Sequence, residues 1–175
     1  MDDPFAPFQA TVQAAIRPCR EADLPALEWW GLFTAHRDLI HRIFARQERG
    51  QATLMLVAEV NGMAAGQAWI DLSRHAAERL GVIWALRVFP CLQGCGIGGR
   101  LLGAAEKILR ERGCAWAEVT VDKEDDGSRR LYERRGYRRI DLPPAAMASL
   151  APPDSPPPAA GSQWVLRKLL QPGTA

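Results

Sequence analysis

Leu86-Arg87-Val88-Phe89-Pro90-Cys91-Leu92-Gln93-Gly94-Cys95-Gly96-Ile97-Gly98-Gly99-Arg100-Leu101-Leu102 is the stretch that decides the fold. An apolar, strand-like run ends at Val88, and Pro90 follows it. Glycine-rich sequence then runs straight into a helical pattern. Glycines at a helix start leave backbone N–H groups bare and let a ligand approach closely. Those groups add to the helix dipole and favour an anion, most often a phosphate. The stretch therefore predicts a phosphorylated ligand.

Outward from this loop the chain alternates strand and helix signals. Thr11 to Ile16 reads as a first strand ended by Arg17-Pro18. A helix follows, with Asp23 as N-cap and Pro25 near its first turn, running through Trp29. A second helix covers about Thr34 to Gln47. Thr53 to Val60 and Met63 to Leu72 flank Asn61-Gly62, a strong hairpin signal. Val82 to Val88 is a nearly continuous apolar run, which predicts burial on both faces. Gly98 to Arg112 is a helix with Ile97, Leu101, Ala105, Ile108 and Leu109 as its stripe, closed by Gly113. Ala115 to Val121 is a strand. Asp125 or Asp126 caps a short helix to about Arg135. Strands at Tyr137 to Ile140 and Gln163 to Leu170 complete an α/β chain with mixed strand directions.

Composition bounds the function. The 175 residues are expected to form one domain over 11–175, after a loose leader at 1–10 and with a Pro/Ala-rich loop at about 142–161. Apolar residues are 47% and charged residues 24%, an ordinary globular balance. The net charge of +2 gives no footprint for nucleic acid. No apolar run spans a membrane and no signal peptide is evident, so a cytoplasmic protein with free thiols is expected. Cys91 and Cys95 have no second Cys/His pair at metal-binding spacing, so no metal site is expected.

Three readings of the glycine loop compete. Gly94-x-Gly96-x-x-Gly99 matches the dinucleotide fingerprint, and Glu118 stands near the place of a ribose-binding acid. The string also resembles the glycine loop of S-adenosylmethionine methyltransferases. Both readings need the strand to run directly into the first glycine, yet Pro90, Leu92 and Gln93 intervene. Too little chain follows Gly99 to build the rest of a doubly wound sheet.

The third reading fits the context. Val88-Phe89-Pro90-x-x-Gln93-Gly94-x-Gly96-Ile97-Gly98 resembles the acetyl-CoA-binding motif of the GCN5-related N-acetyltransferase (GNAT) family. Ile16-Arg17-Pro18-x-x-Glu21-Ala22-Asp23-Leu24 is similar to the family's opening strand and helix. Val57-Ala58-Glu59-Val60-Asn61-Gly62-x-x-x-Gly66 is similar to its central hairpin, and Leu131-Tyr132-Glu133-x-x-Gly136-Tyr137 to its late signature. The resemblance implies a mixed, mostly antiparallel α/β (α+β) sheet, splayed after the fourth strand and flanked by helices.

The resemblance also implies a chemistry. Acetyl-CoA would lie beside Leu86 and Val88, with its pyrophosphate on the amides of Gln93, Gly94, Cys95, Gly96, Ile97, Gly98 and Gly99. Asp125 stands where many relatives keep an asparagine near the pantetheine. A primary amine, on a small molecule or a peptide, would attack the thioester directly. Tyr132 matches the acid that protonates the leaving thiolate. The glutamate that many relatives carry early in the fourth strand is missing from Gly81-Val82-Ile83, so Glu59 and Asp71 are the candidate bases. Trp29, Trp30, Phe33, His36, Trp69, Asp71 and Trp84 could face the acceptor, and an aromatic wall with one acid would suit a cationic amine. His36 and His41 are expected on a solvated helix surface. A homodimer is compatible with the sequence. A non-catalytic CoA-binding or regulatory module is the alternative.

Overall fold

The computed structural model describes residues 11–29, 31–142 and 162–170. The expected leader, Trp30 and nearly all of the Pro/Ala-rich loop lie outside the described residues. Seven strands form one sheet in the order β1-β2-β3-β4-β5-β7-β6. They are β1 (Ala14–Pro18), β2 (Thr53–Val60), β3 (Met63–His75), β4 (Leu80–Val88), β5 (Trp116–Asp122), β6 (Arg138–Ile140) and β7 (Gln163–Leu169). Helices α1 (Arg37–Glu48), α2 (Ile97–Glu111) and α3 (Asp126–Arg134) flank it. Every strand pair is antiparallel except β4 with β5. A doubly wound parallel sheet is thereby excluded. Glu118, the acid which that reading required, is buried and bound to Arg167 at 2.7 Å.

Two apolar clusters lie on the two faces of the sheet. On one, Leu101, Leu102, Ala105 and Leu109 of α2 pack against Leu56, Ile70, Ile83 and Val119. On the other, Leu27, Ile40, Ile43 and Phe44 cover Met55, Val57, Trp69 and Trp84. The alternation of β2 and β3 between these clusters is the period-2 geometry of strands. Gly81 lets α2 come close, because a Cβ there would meet Leu109 Cδ2 at 2.2 Å.

Three elements differ from the sequence expectation. Strand β1 runs two residues past Ile16 and includes Pro18; it is a sheet edge, where a missing N–H costs no ladder bond. The segment Glu21–Glu28 is a 3₁₀ helix that begins before Asp23. Asp23 sits in its first turn, accepting from the Arg20 N–H at 2.7 Å and from both Arg17 Nη atoms. Pro25 removes a donor inside the segment, and Trp29 ends it in a left-handed conformation with φ 43°. Finally, β3 continues to His75, because Asp71, Ser73 and Arg74 bind one another and keep that end ordered.

The sheet is open at one place, and the register shows where. Strand β4 pairs with β5 only over Leu80–Val82 against Trp116–Glu118. Its partner edge from Ile83 to Val88 has no β5 ladder. In the same stretch, Trp84 pairs with Trp69 and Arg87 with Gln67, so Ala68 faces both Ala85 and Leu86. Ala85 takes φ 50°, the signature of a bulge in a non-glycine residue. Burial accordingly falls from complete over Leu80–Trp84 to partial over Ala85–Val88, where the sequence predicted burial on both faces.

Candidate active site

A cleft of about 560 Å³ occupies the opening between β4, the glycine loop and α3. Leu86 and Val88 bring the unpaired edge of β4 to it. Gln93, Gly94, Gly96, Gly98 and Gly99 form its floor, and Asp125 its far side. Cys95 and Ile97 face a neighbouring recess with Ala14, Ile16 and Arg100.

The loop is shaped for an anion by its own backbone. Gly94 and Gly96 take φ of 80° and 84°, and a Cβ on either would point into open space. Gly96 caps α2 with no side-chain hydrogen bond, and no acidic residue stands in the first turn. Arg100 is the first α2 residue whose N–H closes a helical bond, to Gly96 at 3.1 Å. The N–H groups of Ile97, Gly98 and Gly99 precede that first bond and carry the positive end of the helix dipole. Gln93 shapes the loop from within, because its side-chain amide donates to the Val88 carbonyl at 3.1 Å. Arg135 donates to the Gly99 carbonyl and ties the end of α3 to the start of α2.

Asp125 caps α3 by accepting from the Ser128 N–H at 2.9 Å, and it lines the cleft as well. Tyr132 follows the cleft-lining Leu131 on α3. It is buried, with its ring 5.7 Å from that of Tyr137. Burial, and then the nearby Asp125 carboxylate, push its phenol well above the ordinary value.

The two carboxylates expected as bases stand elsewhere. Glu59 binds Arg17 at 2.6 Å beside the β1 edge. Asp71 is fully buried, and its Oδ1 accepts from the Ser73 N–H and hydroxyl at 2.8 and 2.7 Å while Oδ2 lies 3.5 Å from Arg74. Neither lines the cleft. The expected aromatic wall is also redistributed. Trp69 and Trp84 are core residues in edge-to-face contact at 4.6 Å. Trp29 and Phe33, 5.3 Å apart, do line the cleft. Trp29 is fixed there by donating its indole N–H to the Ala64 carbonyl at 2.8 Å. His36 is half-buried rather than solvated, and burial, then Arg87, lower its pKa. His41 is exposed as expected.

The sequence reading missed Arg87. Arg87 lines the cleft, and its guanidinium carbon lies 4.6 Å from the Phe33 ring centroid. The available signal was a charged residue between Leu86 and Val88 in an otherwise apolar strand. No group of His, Cys, Asp and Glu able to hold a metal occurs among the described residues. No helix among them is long and apolar enough to cross a membrane.

The parallel pair of β4 and β5 opens beside a bare, glycine-capped helix. The acetyltransferase (GNAT) family model matches residues 13–137. This chain belongs to the GNAT acetyltransferase family. It is 32% identical over 123 residues to the mycothiol acetyltransferase of Acidothermus cellulolyticus, a match that covers 67% of this chain and 38% of that protein. Its fold is similar to the PaiA N-acetyltransferase of Thermoplasma acidophilum, solved in complex with coenzyme A. There the TM-score is 0.70 at 16% identity, over 90% of this chain and 99% of the other. It is also similar to the ribosomal-protein-S18-alanine N-acetyltransferase of Escherichia coli, with a TM-score of 0.66 at 17% identity over 90% and 94% of the two chains.

Proposed function

We propose that this protein transfers an acetyl group from acetyl-CoA to a primary amine by direct attack. The observation that carries the reading is the unpaired β4 edge running into three bare N–H groups at the start of α2. The residues present fit the donor: an extended pantetheine can add to β4 like a strand beside Leu86 and Val88. Its pyrophosphate meets the amides of Gln93 to Gly99, where glycine leaves room for phosphate oxygens.

In this reading the amine nitrogen bonds to the thioester carbon. The oxyanion that forms takes a hydrogen bond from a backbone N–H near Leu86, just beyond the Ala85 bulge. The C–S bond then breaks, and the thiolate takes the phenolic proton of Tyr132. Burial, and then Asp125, hold the phenol protonated until that base forms. Glu59 and Asp71 are committed to Arg17 and to Ser73 and Arg74, so the amine loses its proton to solvent at the mouth of the cleft.

Calorimetric titration with acetyl-CoA, NAD and S-adenosylmethionine tests the donor, and thiol release with an amine panel tests turnover. Binding of acetyl-CoA alone, with amine-dependent release of thiol, is the expected result. Binding without release for any amine would favour a non-catalytic CoA-binding module. Absence of acetyl-CoA binding would overturn both.

A further inference from the structure

Arg87, a cation on the cleft, forms no ion pair with a carboxylate among the described residues. Arg17, Arg74 and Arg167, each partly buried, all meet a carboxylate, on Asp23 and Glu59, Asp71, and Glu118 respectively. Arg87 meets none among the described residues. Its Nη1 is out of contact with solvent and has no hydrogen-bond partner. Its guanidinium carbon instead lies 4.6 Å from the Phe33 ring centroid, within cation–π range. An unpaired, desolvated guanidinium is costly unless a ligand completes it.

The place of this cation also separates it from the phosphate end of the cleft. Leu86 and Val88 turn toward the α2 face of the sheet, whereas Arg87, between them, turns toward Phe33 on the α1 face. His36 also stands on that side, its ring 5.7 Å from Phe33, and burial, then Arg87, lower its pKa. Among the described residues, the acid nearest in sequence to Trp29 and Phe33, Glu28, is already paired with Arg37, and Asp125 lines the far side of the cleft. The aromatic wall with one acid that would suit a cationic amine is not assembled, because Trp69, Trp84 and Asp71 are buried outside the cleft.

We infer that the acceptor is an amine bearing a carboxylate, and that the Arg87 guanidinium receives this carboxylate while Trp29 and Phe33 cover the adjoining carbon skeleton. A guanidinium fork and a carboxylate form two parallel hydrogen bonds, which orients as well as binds. Arg87 is then a specificity-determining residue. The inference rests on the acetyltransferase reading above and names the substrate class of that site.

The test is a substrate-by-enzyme cycle. The common L-amino acids are assayed for acetyl-CoA-dependent thiol release beside their α-amides and beside carboxylate-free amines such as tyramine and spermidine. Wild-type protein is compared with Arg87→Gln and Arg87→Lys, and acetyl-CoA affinity and thermal unfolding are measured for all three. The best acceptor should carry a carboxylate, and its amide should lose about tenfold or more in kcat/KM. Arg87→Gln should abolish that difference while acetyl-CoA affinity stays, and Arg87→Lys should restore part of it. Three results would overturn the inference: equal rates for acid and amide, a preference that survives Arg87→Gln, or turnover confined to carboxylate-free amines. Acetyl-CoA binding with no turnover of any carboxylate-bearing amine would overturn it as well. A fall in acetyl-CoA affinity in Arg87→Gln, with the acid preference intact, would place the missing anion on the donor instead. Loss of acetyl-CoA binding by the wild-type protein would be the failure of the broader reading.

Discussion

Tyr132 keeps its proton for two reasons that act in the same direction. Its ring is buried, and Asp125 stands close enough to oppose a second negative charge. A phenol held neutral in this way can donate to a base that is created only during the reaction, such as a departing thiolate. Tyr132 is not among the residues that line the cleft with the anion-binding loop, so it is not expected to hold the phosphate. Tyr132→Phe should therefore lower kcat by about 100-fold or more while leaving acetyl-CoA affinity within twofold. Steady-state thiol release and calorimetric titration measure the two quantities. An unchanged kcat would remove Tyr132 from the mechanism. Arg87 shows the opposite side of residue-scale reasoning. Nothing in the string Leu86-Arg87-Val88 says whether the guanidinium has a partner, because partners come from β3 and from the chain before α1. The lone charge in an apolar strand was visible; its isolation was not.

At the scale of elements, local chemistry made most of the sheet legible. Asn61 and Gly62 both take positive φ, 50° and 80°, as a two-residue hairpin turn requires, and β2 occupies the predicted Thr53–Val60. The loop from Gln93 to Gly99 was equally legible, because glycine positions report backbone conformation directly. The entry segment was not. Asp23 looked like an N-cap because it precedes Pro25, yet its carboxylate is shared between Arg20 and Arg17, and the Arg17 link is a contact to a strand. The bond to Arg17, chiefly, holds the Asp23 carboxyl below the ordinary carboxylate range, despite burial. A carboxyl depressed in the folded state stabilises the fold at pH values above its unfolded pKa of about 3.9. That contribution is lost as pH falls through the still lower folded value. Asp23→Asn should thus cost about 2 kcal/mol at neutral pH. Urea unfolding at several pH values should show the gap between wild type and variant closing below about pH 4. A gap that does not change with pH would mean that the carboxylate's charge contributes nothing.

The molecule as a whole consists of two half-sheets joined at a narrow place. Strands β1 to β4 form one and β5 to β7 the other, and their shared ladder is limited to Leu80–Val82 against Trp116–Glu118. Helix α2 packs across the joint, with Leu109 against Gly81 and Leu101 against Gly66. A fold assembled this way puts its cleft where its hydrogen bonding is weakest, so a ligand along the β4 edge supplies contacts that the protein lacks alone. The cysteines report this, since they sample both places. Cys91 and Cys95 are exposed on the loop, whereas Cys19 is buried beneath α1 and desolvation pushes its thiol up to about 12. Reactivity requires both access and thiolate, and Cys19 has neither in the folded state. A thiol reagent at neutral pH should modify Cys91 and Cys95 rapidly, and Cys19 only as fast as the molecule opens. Acetyl-CoA at 100 times its dissociation constant should stabilise the fold by about 2.7 kcal/mol. When reclosing outpaces modification, Cys19 labelling should then slow by about 100-fold, the same energy read as a population. Labelling of Cys95 should slow only insofar as the bound pyrophosphate shields the loop. Mass spectrometry of the modified peptides over time separates the two rates. Equal rates at Cys19 and Cys95 without ligand would contradict the burial of Cys19. Slowing at Cys95 alone would show that the ligand occupies the loop without bracing the joint between the half-sheets.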